Sequence, residues 1–128
     1  MTIQIDISPG ELIDKITILA IKLERIGDPA KLKNVRTEHD LLSAASIRDI
    51  PASPAMDKLA AELKAVNEKL WDIEDDIRQH EREKKFDGRF IELARAVYHT
   101  NDRRSQIKRE INDLLGSAIT EEKSYAKY

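Results

Sequence analysis

Residues Met56–Ile77 read MDKLAAELKAVNEKLWDIEDDI. Met56, Leu59, Leu63, Val66, Leu70, Ile73 and Ile77 follow one another at steps of three and four without a break. That is a heptad seam along one face of a helix. Beside it, at the same spacing, run Asn67, Trp71, Glu74, Arg78 and Glu81, a polar row holding one large aromatic. The first row predicts a core, and the second is where function is sought.

Working outward, Ser53-Pro54 supplies a cap and a first-turn proline for this helix, which is expected to run to about Lys84. Phe86-Asp87-Gly88 reads as a turn, with Asp87 capping a further helix to about Leu115 and Gly116 ending it. The apolar set of that last helix is Phe90, Leu93, Ala94, Val97, Ile107, Ile111 and Leu114. Its seam is interrupted at Thr100 and Arg104, with Asn101, Asp102 and Ser105 alongside. Both helices rise equally per residue. Doubling back near residues 86 and 87 sets Trp71 level with Asp102 and Glu74 level with His99. The candidate layer is therefore Trp71, Glu74, Arg78, Tyr98, Asn101 and Asp102, with Arg104 at its edge. Two readings stand: a buried polar network that fixes register, or a ligand site. Glu74 and Arg78 are also the i,i+4 pair of any solvated helix face.

Upstream, Ser8-Pro9-Gly10-Glu11 reads as a helix start with a Ser8–Glu11 capping box. The seam Leu12, Ile16, Leu19, Leu23, Ile26 follows, widened by Ile13 and Ala20. Gly27 is expected to stop this helix through a positive φ. Asp28-Pro29 starts a second helix that carries Leu32, Val35, His39 and Leu42 and fades near Ala45, before a loop over 47–53. Ile3, Ile5 and Ile7 alternate with polar residues, a strand signal. The segment can pair with the tail or with a symmetry mate, or lie extended with its isoleucines on the helices. Residues 117–128 read as a docked short helix or a loose tail. The expected fold is an all-α antiparallel bundle of two hairpins, the second much longer, with a short extended N-terminal segment. At 128 residues this is the size of one domain. The shorter hairpin is expected to pack along part of the longer one, whose uncovered end is the place for a second subunit.

With 22 Lys+Arg against 24 Asp+Glu, the net charge of -2 lacks the basic excess of a nucleic-acid binder. There are 0 cysteines, which excludes disulfides, thiolate metal sites and cysteine nucleophiles. No apolar run reaches the length of a membrane span, and the first residues lack signal-peptide order, so a cytoplasmic protein is expected. His39, His80 and His99 fall in no helical metal pattern. There is no glycine-rich phosphate loop or nucleophile elbow, so no cofactor is expected. Lys15, Lys22 and Arg25 share roughly one face of the first helix. With Arg36 and Arg78 they can form a clamp for a carboxylate or phosphate, or stand as ordinary surface charge.

The blocks Ser8-Pro9-Gly10-Glu11-Leu12-Ile13-Asp14-Lys15-Ile16-Thr17-Ile18-Leu19, Leu70-Trp71-Asp72-Ile73-Glu74-Asp75, Asn101-Asp102-Arg103 and Glu121-Glu122-Lys123-Ser124-Tyr125 resemble a bacterial family of uncharacterised proteins, a domain of unknown function. The likeness covers nearly the whole chain and implies no catalytic residue. It implies a setting beside sugar-transfer and surface-polysaccharide proteins. A looser likeness, in Ile13-Asp14 and Arg25 of the first helix, is to the helical chorismate mutases. It implies an intertwined dimer that clamps a dicarboxylate, but the rest of their Lys, Arg-Glu and Gln pattern is absent. Two functions follow. One is a non-enzymatic helical module that forms a homodimer or binds a protein partner. The other is a site or isomerase for a small anionic ligand, built on the Lys/Arg clamp.

Overall fold

The computed structural model describes residues 1–128 and contains four helices: α1 (Pro9–Arg25), α2 (Pro29–Asp49), α3 (Pro54–Glu83) and α4 (Gly88–Leu114). Each start is built from the residues that announce it. Ser8, Asp28, Ser53 and Asp87 accept a backbone N–H of the first turn at 3.2, 2.9, 3.1 and 3.0 Å. Pro9, Pro29 and Pro54 follow three of these caps, where the missing proline N–H leaves no bond unmade.

α3 and α4 form the long antiparallel hairpin, and α1 packs on both of them. The core lies where the three meet, with Ile13, Met56, Leu63, Ile107 and Ile111 at its centre. Ile16, Ile50, Leu59, Val66 and Leu115 pack around it. The Met56–Ile77 seam thus builds the core along its first half. Beyond α1, which reaches as far as Asp72 through Arg25, Ile77 of α3 and Phe90, Ala94 and Val97 of α4 are only half-buried, although Ile73 and Leu93 among them are buried. Two helices bury only the strip between them, and a seam closes when a third or fourth helix covers it.

Several expectations need correction. The shorter hairpin does not lie along the longer one as a pair: α2 contacts α1 alone and buries only Val35. It also runs on past Ala45 to Asp49, because Ser46–Asp49 hold nothing that breaks a helix before Pro51. Gly27 has no positive φ. α1 ends instead with extended Ile26, whose N–H still donates to the Lys22 carbonyl. Lys84 ends α3 in the left-handed conformation, at φ 55°, and Gly116, at φ 62°, follows α4 as expected. The N-terminal segment forms no strand. Ile3 and Ile5 are 75% and 73% exposed, so neither pairing with the tail nor packing on the helices holds them. Residues 117–128 form neither a helix nor a loose tail. They fold back irregularly on α4, where Glu121 meets Lys108 at 3.3 Å, Glu122 meets Arg109 at 3.6 Å and the Tyr128 ring stacks on Tyr98 at 5.2 Å. No helix is long and apolar enough to cross a membrane.

Candidate functional site

The first turns of α1 are pressed against the end of α4. Asn112 Oδ1 accepts the Gly10 N–H at 2.7 Å. A Cβ on Gly10 would stand 2.5 Å from the Lys108 carbonyl oxygen and 2.9 Å from Asn112 Oδ1, so only glycine allows the approach. One residue on, Glu11 accepts Lys108 Nζ at 2.7 Å. Its side chain therefore faces α4 and does not close the expected capping box. One turn later stands Asp14, 1% exposed. Its Oδ1 accepts Arg104 Nε and Asn67 Nδ2, both at 2.9 Å, and its Oδ2 accepts Arg104 Nη2. Lys108 Nζ lies 3.7 Å away. Thr17 Oγ1 donates to the Asp14 carbonyl at 2.8 Å and accepts from Asn67 Nδ2 at 3.0 Å. One carboxylate thereby ties α1 to both long helices, and no buried side-chain polar atom is left without a partner.

Burial alone would raise the Asp14 pKa. The hydrogen bonds from Arg104 and Asn67, with the charges of Arg104 and Lys108, outweigh it and hold the carboxyl below the usual aspartate range. Burial pulls the Lys108 ammonium down, but Glu11 and Asp14 more than reverse this and raise it. Arg104 is fixed by Asp14 through Nε and Nη2, which leaves Nη1 without a hydrogen-bond partner.

The candidate layer does not form one closed interior. Trp71, Glu74 and Asn101 line an open cavity of about 470 Å³ together with Arg104, Asn67 and Ile21. Trp71 and Asn101 therefore face the same space, as the doubled-back register predicts. Tyr98 and Asp102 line a second cavity, about 890 Å³, between α4 and the C-terminal tail. Asn101 and Arg104 belong to both. Arg78 lies outside, 78% exposed, at 3.2 Å from Glu74. The Lys15, Lys22, Arg25, Arg36 group lines neither cavity. Lys15 stands 3.8 Å from Glu11. Arg25 pairs with Asp72 at 2.5 Å and lies over the Trp71 ring at 5.9 Å. Lys22 is half-buried, and Arg36 is exposed on α2. No three His, Asp or Glu side chains converge as metal ligands do.

Residues 3–128 match a family described as a family of unknown function, DUF6165. The chain belongs to that family. No curated protein and no solved structure matches it. The family match therefore supplies no activity, and the residues must be read for themselves.

Read that way, the opening block of the family resemblance has a physical content: Ser8 caps, Pro9 starts the helix, Gly10 allows contact, and Glu11, Asp14 and Thr17 face the network. Sequence reasoning missed Asp14 as the centre of this network and Lys108 and Asn112 as its partners. The signal was present. Gly10, Asp14, Thr17 and Ile21 recur at helical spacing and are all buried, so a stripe holding two polar side chains, Asp14 and Thr17, runs beside the apolar seam of α1. Lys108 and Asn112 likewise each follow a core isoleucine of α4. What the sequence could not show is that the two stripes face each other across helices some 90 residues apart in the chain.

Proposed function

We propose that this protein is a non-enzymatic helical module that self-associates through the part of the α3–α4 hairpin that α1 leaves uncovered. Surface area carries the reading. The chain exposes 8994 Å², whereas a compact 14.7 kDa monomer exposes about 6,900 Å². The excess of roughly 2,000 Å² per chain lies in the range that stable dimers bury. The exposed N-terminal segment supplies part of it. α2, which buries only Val35, supplies another part, and the rest includes the half-buried seam of Ile77, Phe90 and Val97, with Ile91 57% exposed at its edge. A second copy related by a two-fold axis would lay an identical hairpin on that seam and complete a four-helix arrangement. In this reading the Asp14 network fixes α1 and so decides which stretch of the hairpin stays open.

Light scattering on the purified chain tests it. The expected mass is twice 14.7 kDa, falling to that of the monomer in Ile91→Glu and in Ile77→Glu. Leu41→Glu, on the outer face of α2, is expected to leave the mass unchanged. A monomer at all concentrations, or a dimer indifferent to both hairpin variants, would sink the proposal.

A further inference from the structure

The cavity between α4 and the tail has the chemistry of a ligand site, and its residues are distinct from the open seam of the hairpin except where Val97 borders both. Its volume of about 890 Å³ falls within the range of small-molecule pockets. Four cations line it, Arg104, Lys108, Lys123 and Lys127, against one carboxylate, Asp102. Asp102 is already engaged by the Tyr128 hydroxyl. The cations are not equally free. Lys108 is shared among Glu11, Asp14 and Glu121, and Lys123 meets Glu121 at 2.8 Å. Lys127 has no carboxylate partner, and Arg104 keeps Nη1 unpaired while buried Asp14 holds its guanidinium in place. An arginine oriented from behind by a carboxylate loses little freedom on meeting an anion.

The other wall is aromatic. Tyr98 and Tyr128 stack at 5.2 Å, and Tyr125 lines the same space with its side chain largely exposed. Asn101 and Ser105 add an amide and a hydroxyl. A guanidinium and separate ammoniums on two segments of chain suit a tetrahedral dianion better than a planar carboxylate, which one arginine fork satisfies. Tyrosine faces suit a flat or sugar ring.

We propose that this cavity binds a phosphorylated ring compound, with the phosphate on Arg104, Lys123 and Lys127 and the ring against the tyrosines. A sugar phosphate and a nucleoside monophosphate share this chemistry, and the test separates them. Isothermal titration of the whole chain would use inorganic phosphate, glucose 6-phosphate, adenosine 5′-monophosphate and adenosine. At least one phosphorylated ring is expected to bind about tenfold or more tightly than both inorganic phosphate and adenosine, and the tighter of the two identifies the source. Lys123→Ala/Lys127→Ala is expected to weaken that binding by about tenfold or more with the melting temperature unchanged, and Lys127→Arg to retain it. Arg104 is left intact because its loss would strand Asp14 in the interior. No binding of either phosphorylated compound at millimolar concentration would overturn the proposal. So would equal binding of inorganic phosphate or of adenosine, or affinity untouched in the double variant. The light-scattering mass of the same samples reports separately on self-association, so either proposal can fail without the other.

Discussion

Asp14 and Gly10 show how much of this structure rests on single side chains. Asp14→Asn keeps the shape but removes the charge that Arg104 and Lys108 face. Breaking a buried pair from one side typically costs about 3–5 kcal/mol, and chemical denaturation of Asp14→Asn is expected to show a loss in that range. The pH dependence has a definite sign. The folded pKa of Asp14 is depressed, so its contribution is present above the unfolded aspartate value and is lost as pH falls through the folded one. Acid titration of the melting temperature should therefore fall steeply below about pH 4, and that steep part should be missing in Asp14→Asn. Lys108, whose pKa is raised, acts on the other limb. Its contribution is present below the unfolded lysine value and is lost as pH rises through the folded one. The exposed pairs, such as Arg48–Asp49, add little in either direction. Gly10→Ala places a methyl against backbone that cannot swing away. Overpacking of this kind costs about 1–3 kcal/mol. A measured stability equal to the parent would show that α1 can slide without cost.

At the scale of elements, local signals told nearly everything about where helices begin and little about what they touch. The four cap residues were legible because a cap is a property of adjacent residues. The end of α2 is not legible because its apolar pattern fades before its hydrogen bonds do. Its docking is not legible either, because hairpin logic assigns neighbours by chain order. The candidate layer was half legible: the gap at Thr100 and Arg104 is visible in α4 alone, but the group that fills it, Asp14, comes from α1. α2 buries one residue in its 21 and touches one neighbour, so its backbone should open without the rest of the fold unravelling. Hydrogen exchange is expected to be faster across residues 36–48 than across residues 59–73 of α3. Uniform protection of all four helices would show that α2 is held by something beyond α1.

For the whole molecule, charge and area point in the same direction. A net charge of -2 gives little repulsion between copies, and the uncovered seam gives a reason to associate. Under the proposed self-association, dimerisation is linked to folding by mass action, so the melting temperature is expected to rise with protein concentration. Scanning calorimetry over a hundredfold dilution series checks this, and a concentration-independent transition argues for a monomer.

Gly27 and Asp28, both exposed, join α1 to a helix that leans on nothing else. A reporter or affinity handle spliced just before the Asp28 cap would hang from the outer end of the α1–α2 pair. The laboratory can thus tether, label or immobilise the protein there while leaving the Asp14 junction and the tail cavity untouched.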